Sequence, residues 1–366
     1  MALSCGIVGL PNVGKSTLFN ALTNAKVAAE NFPFCTIDPN VGVVKVPDPR
    51  LQEITKRIKP QTVIPANMEF VDIAGIVKGA SKGEGLGNKF LANIRETSAI
   101  IHVVRCFVDD NVIHVNGTVD PLSDVSVIDM ELMLADLDTV QKRYPFVEKA
   151  AARDPKGFAK QAEAMKKVKD ALEAGKPVRA LNLTAEEQVA VHELHLLTIK
   201  KVLYVGNVTE DDVAEPMKNP HYAKLSDYAA KEGSGVVSIC GKIEAELVEL
   251  DGADKMEMLA SLGLKEDGLS RLIRQAFKLL GLSTYFTAGE KEVRAWTIHQ
   301  GWTAPQAAGV IHTDFERGFI KAEVYHCEDL FRLNSEAEIK AKGLLRLEGK
   351  EYVVRDGDVM HFRFNV

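Results

Sequence analysis

At 366 residues the chain is longer than one average domain, and two or three are expected. Its 46% hydrophobic and 26% charged residues are those of an ordinary globular protein. A net charge of −6 argues against capture of free DNA by bulk charge and leaves only a local patch for a ribonucleoprotein partner. Five scattered cysteines, odd in number and without a C-x-x-C pair, read as reduced thiols of a cytoplasmic protein. The first strand follows Met1 almost at once, so no leader peptide is expected. No apolar run is long enough to span a membrane.

The run Gly9-Leu10-Pro11-Asn12-Val13-Gly14-Lys15-Ser16 fits G-x-x-x-x-G-K-[ST] at every fixed position. Ile7-Val8 leads in as a strand, and Thr17 to Leu22 leads out as a helix. Glycines let the loop turn its N–H groups inward, and the new helix points its positive end at the phosphates. Lys15 is placed for the β- and γ-phosphates and Ser16 for Mg²⁺, with Asn12, Val13, Gly14 and Thr17 completing the cradle.

The turn-rich stretch Asn31 to Asn40, before a strand at Val41 to Val46, reads as a surface loop. Its Thr36 is the candidate to complete the Mg²⁺ shell when a γ-phosphate is present. Met68 to Asp72 reads as a strand ending in an acid, and Asp72-Ile73-Ala74-Gly75 supplies D-x-x-G. Asp72 would hold the metal through water, and the Gly75 N–H would sense the γ-phosphate. Ile76 stands where Ras-like enzymes carry the glutamine that orients water. The water must be placed by another group, or hydrolysis is slow.

Ala99 to Phe107 is a nearly unbroken apolar run, as for a strand covered on both faces, and His102 within it reads as a packed histidine. His114, in the loop that follows, is the candidate to position the attacking water. Lys78, Lys82 or a partner-supplied group are the alternatives. Stripes from Val127 to Tyr144 and from Phe158 to Leu172, then a Thr184/Glu187 capping box, predict an inserted helical hairpin. Its second arm is basic, from Lys149 and Arg153 to Lys169.

The strand Val202 to Asn207 ends on Asn207-Val208-Thr209-Glu210, where GTPases carry N-K-x-D. Val208 removes the lysine that flanks the base, and Glu210 moves the carboxylate that reads guanine, so ATP is expected over GTP. Val236 to Cys240 is the last strand of this region, and Lys242 to Leu250 and Gly268 to Leu280 are helices. Beyond Gly281, strands at Val293 to Ile298, Lys321 to Tyr325, Tyr352 to Arg355 and Val359 to Phe364 surround a helix at Ala304 to Ile311. The fold expected is α/β. A P-loop domain with a mostly parallel sheet covers 1–126 and 201–281, the hairpin 127–200, and a β-rich domain 282–366.

Over essentially its whole length the sequence resembles the YchF-type Obg-like ATPases, translation-factor-related P-loop hydrolases. The resemblance is carried by Gly9 to Ser16, Asn31 to Ile37, Asp72 to Gly75 with its glycine-rich tail, and Asn207 to Glu210. The C-terminal part is similar to a TGS domain, a ubiquitin-like β-grasp module. The resemblance implies cytoplasmic, Mg²⁺-dependent ATP hydrolysis and association with the large ribosomal subunit or the whole ribosome, without a membrane or free DNA as partner. It also implies an apolar residue in place of the catalytic glutamine. Asn12 matches the asparagine with which potassium-activated relatives hold K⁺, which adds K⁺ as a candidate cofactor. Two other readings compete: a regulatory GTPase, and a nucleotide-switched or chaperone-like binding protein whose hydrolysis is incidental.

Overall fold

The computed structural model describes residues 4–24, 40–73, 86–109, 112, 114 and 117–365, with the side chains of 86–89 left undescribed. The chain divides into two compact units, Met1–Gly42 with Glu69–Leu272, and Val43–Met68 with Ile273–Val366. In this clustering residues 43–68 fall with the C-terminal region, residues 127–200 stay with the P-loop region, and the boundary comes after Leu272 where 281 was expected.

The first strands are β1 (Ser4–Val8), β2 (Val41–Lys45), β3 (Thr62–Ile64), β4 (Asn67–Asp72), β5 (Ala99–Arg105), β6 (Val202–Asn207) and β7 (Gly235–Ile239). All except β3 form one sheet in the order β2-β4-β1-β5-β6-β7. Pairing is parallel from β4 through β1, β5 and β6 to β7. Every residue of β1, β5 and β6 is buried, which explains their unbroken apolar runs. Strand order reverses at β1, and open sheets of this kind bind ligands at the carboxyl ends of the strands beside such a reversal.

Helix α1 (Lys15–Asn24) follows β1 directly. Helix α2 (Pro49–Ile58) was not expected from the sequence, although Asp48 caps it and Pro49 opens it. Helix α3 (Leu86–Glu96) precedes β5. Helix α4 (Pro121–Arg153) starts six residues before the first expected stripe residue, Val127, on an Asp120 cap, and runs through Pro145. Asp154 ends α4 and also caps α5 (Pro155–Glu173), accepting from the Gly157 N–H at 3.2 Å. The hairpin has its own core, in which Val140 and Val147 of α4 meet Met165, Val168 and Leu172 of α5. Helix α6 (Ala185–Val191) opens on the expected Thr184/Glu187 capping box.

Buried charges anchor this hairpin within the first unit. Asp136 of α4 accepts from the Leu197 N–H, the Thr198 N–H and the Thr198 hydroxyl, at 2.7–2.8 Å. Arg179 pairs with Asp129 at 2.7 Å and Glu232 at 2.9 Å, and the Tyr204 hydroxyl donates to Glu232 at 2.8 Å. On the basic arm, Lys160, Lys167 and Lys169 are paired with Glu186, Glu187 and Glu173. Helices α7 (Pro220–Glu232), α8 (Gly241–Glu249), α9 (Gly252–Ser261) and α10 (Gly268–Leu279) follow in order.

The remaining strands are β8 (Leu282–Ala288), β9 (Glu292–His299), β10 (Phe319–His326), β11 (Arg346–Glu348) and β12 (Asp358–Phe364). The second sheet runs β11-β10-β12-β8-β9-β3. Strands β8 and β9 form an antiparallel hairpin, and β12 lies parallel to β8 and antiparallel to β10. First and last strands side by side and parallel are the β-grasp arrangement. Strand β8 escaped the sequence reading. The stretch Tyr352 to Arg355, expected as a strand, is irregular with one isolated bridge at Val353, and the Arg355 N–H donates to Asp358 at 2.9 Å. Among the described residues no helix is long and apolar enough to cross a membrane.

Candidate nucleotide site

The P-loop leaves β1 at its carboxyl end and enters α1 at Lys15. Two of its residues take left-handed backbone conformations, Asn12 at φ 63° and Gly14 at φ 91°. Gly14 has a second constraint: a Cβ there would lie 2.2 Å from Asn207 Nδ2. At Gly9 a Cβ would meet the Val103 carbonyl at 2.7 Å. Gly14 is thus required by both its backbone angle and close approach, and Gly9 by close approach.

Lys15 is buried and its ammonium pairs with Asp72 at the end of β4. The two residues expected to take the phosphates and the metal are therefore brought together. Ser16 and Thr17 are exposed on the first turn of α1. The Ser16 hydroxyl and Asp72 carboxylate are hard oxygen donors suited to Mg²⁺, which takes few protein ligands beside phosphate and water. The Lys15 ammonium on Asp72 is itself a cation held at that carboxylate. Among the described residues no group of three or more His, Cys, Asp or Glu is placed to hold a metal. Thr36, Gly75, Ile76, Lys78 and Lys82 lie outside the described residues.

Beside the P-loop is a cavity of about 990 Å³. Asn12, Gly14 and Thr17 line one side, and Val208 to Asp211 with Gly241 and Lys242 line another. Phe107, Val108 and Val112 add an apolar wall. Asn207 ties the two halves together. Its Nδ2 donates to the Val13 carbonyl at 2.9 Å, and its Oδ1 accepts from the Gly241 N–H at 3.0 Å. Val208 is buried, and its N–H donates to the Ile239 carbonyl at 2.8 Å. The Glu210 carboxylate pairs with Lys242 at 2.5 Å, and this contact raises the lysine pKa.

Three supporting residues were not singled out from the sequence. Arg105, at the end of β5, donates to carbonyls of the loop that forms the apolar wall. A charged residue closing an otherwise apolar strand was the signal available for it. Asn219 caps α7 and donates to the Cys106 carbonyl at 2.9 Å and Asp212 at 2.8 Å, holding the segment after Glu210. Lys242 is the third. Burial pushes the Cys106 thiol up to about 12, so it is no nucleophile near neutral pH.

His114 is buried, and its Nε2 lies 3.0 Å from Asp124 Oδ2 on α4. It is not among the residues lining the cavity. His102 is packed as expected, with burial lowering its pKa to about 3.

The sequence profile described as 50S ribosome-binding GTPase matches residues 4–138. The YchF GTPase C-terminal profile, described as a protein of unknown function, matches 282–365. Ribosome-binding ATPase YchF of Bacillus subtilis is 57% identical over 366 residues, covering all of both chains. Its namesake in Escherichia coli O157:H7 is 56% identical with the same coverage. The solved structure of the Schizosaccharomyces pombe YchF GTPase superposes with a TM-score of 0.89 at 38% identity, covering 99% of this chain and 97% of that one. At this identity, over the full length of the relatives, the chain belongs to the YchF family.

Proposed function

We propose that this protein is a Mg²⁺-dependent ATPase that hydrolyses ATP slowly and binds the ribosome according to its nucleotide state. The observation that carries the choice of ATP is the Val208–Glu210 segment. Val208 is buried where a lysine would flank guanine, and Glu210 is engaged by Lys242. Loss of a charged, bidentate contact costs guanine roughly 2–3 kcal/mol, about 30- to 160-fold in affinity. The bacterial relatives are named ATPases and the S. pombe structure a GTPase, so the nucleotide has to be decided by this chemistry.

In this reading Lys15 and the P-loop N–H groups bind and orient the β- and γ-phosphates. Ser16, Thr36 and, through water, Asp72 serve the metal, and Asn12 is the ligand proposed for K⁺. Bound Mg²⁺ would neutralise phosphate charge. Asn207 fixes the loop against the base site, and Gly75 reports the γ-phosphate. His114 is proposed to place the water in default of a glutamine, with Asp124 fixing its ring. The names of the relatives support a ribosomal partner and, with it, a cytoplasmic location.

Titrating labelled ATP and GTP tests the nucleotide. Equal affinities would overturn the reading in favour of a regulatory GTPase or an unselective switch. Sedimenting ribosomes with the protein and ATP, ADP or no nucleotide tests the coupling, and recovery identical in all three would remove it.

A further inference from the structure

We propose that Arg105 is the positioning residue for the nucleobase, shaping the apolar wall against which the base lies. The inference rests on reading the cavity beside the P-loop as the base site. Arg105 closes β5, opposite Asn207 in the parallel register with β6. The next N–H, of Cys106, donates to the Asn207 carbonyl at 2.8 Å. The wall and the Val208–Glu210 segment therefore leave the sheet side by side.

The Arg105 side chain turns back under its own loop. It is 1% exposed. Its Nε donates to the Phe107 carbonyl at 3.0 Å, one Nη to the Val112 carbonyl at 2.9 Å and the other to the Asp109 carbonyl at 3.3 Å. The guanidinium carbon lies 4.4 Å from the centre of the Phe107 ring. Burying a guanidinium is costly unless its donors are satisfied, and this loop satisfies them with carbonyls from three positions.

All three of these positions line the cavity, and so does Val108, held between Phe107 and Asp109 and 66% exposed. A large apolar side chain held out at a cavity wall suits the face of a flat heterocycle, which gains from apolar and stacking contact. The phosphates bind elsewhere, at Lys15. Arg105 thus governs affinity for the base and not for the polyphosphate. Lysine cannot substitute, because one ammonium has neither the planar fork nor the stacking face of a guanidinium.

The test uses the full-length protein with Mg²⁺, titrated with ATP and with inorganic tripolyphosphate. Wild type should bind ATP more tightly, and equal affinity would remove the base-site reading itself. Arg105→Lys should weaken ATP about tenfold, the order expected when one stacking wall is loosened, with tripolyphosphate within about twofold. Val108→Ser, at an exposed side chain, should show the same selective loss and decides the matter if Arg105→Lys does not fold. Equal weakening of both ligands in either variant, or undiminished ATP affinity in both, would overturn the proposal.

Discussion

The Lys15 ammonium and the Asp72 carboxylate form an ion pair that joins the first turn of α1 to the end of β4. In the function proposed, phosphate at Lys15 and metal at Asp72 would each compete with this contact, so each arrival would assist the other. Asp72→Asn should lower Mg²⁺-dependent hydrolysis at least a hundredfold. It should also improve ATP binding measured without Mg²⁺ by about fivefold, since a partly exposed pair is worth about 1 kcal/mol. Calorimetry with and without Mg²⁺ checks both signs, and weaker binding in the absence of metal would show that Asp72 does not restrain Lys15.

Asn207 is a brace whose two bonds join Val13 to Gly241. Asn207→Ala should cost about 2 kcal/mol of stability, two buried hydrogen bonds at about 1 kcal/mol each, and weaken ATP at least tenfold. Thermal melts with and without ATP separate the two effects. A variant that melts lower but binds normally would make Asn207 a fold residue alone.

Lys242 holds Glu210 at the rim of the cavity. Lys242→Ala should free that carboxylate for the N–H edge of guanine and raise GTP affinity relative to ATP by less than tenfold, as befits an exposed pair. Competition binding measures the ratio. The double change Val208→Lys with Glu210→Asp should move it further in the same direction.

His114→Ala should lower kcat about a hundredfold, within the usual range for a lost general base, and leave the Kd for ATP nearly unchanged. Asp124→Asn should give a smaller loss of the same kind, because it disturbs the ring without removing it. Single-turnover assays decide; normal chemistry in His114→Ala would assign the His114–Asp124 pair to anchoring α4.

Glu244 of α8 is buried and accepts from the Gly268 N–H at 2.7 Å and the Leu269 N–H at 3.3 Å, at the start of α10. Burial raises its pKa from 4.5 to about 7. Between those values the folded carboxyl keeps a proton that the unfolded chain has lost, so this group makes stability fall as pH rises from about 4.5 to 7. Glu244→Gln should remove that slope, up to about 3 kcal/mol across the window. Unfolding free energies of both proteins at pH 5 and pH 7.5 give the difference, in which other titrating groups cancel.

The P-loop was legible because its constraints are local: Gly14 is required by its own backbone angle, and Lys-Ser follow it in sequence. Strands β1, β5 and β6 were legible because both their faces are covered. What escaped depends on distant partners. Residues 43–68 join the C-terminal region through the β3–β9 pairing and through Arg50, which meets Asp356 at 2.6 Å, 306 positions away. No local pattern encodes such a meeting. Asn207 was recognised by its place in a motif, but its brace to Gly241 needs the fold. Arg105 passed as part of an apolar strand because its donors turn back to carbonyls that the sequence does not distinguish.

Helix α4 begins just after the loop that bears the apolar wall, and Asp124 in its first turn holds His114. Its 33 residues extend about 50 Å. Over that length a tilt of about 5° at the base carries the far end through roughly 4 Å. The hairpin is in this sense a pointer with a long arm and a short one. Any such tilt at the base would be magnified into a larger displacement at the tip.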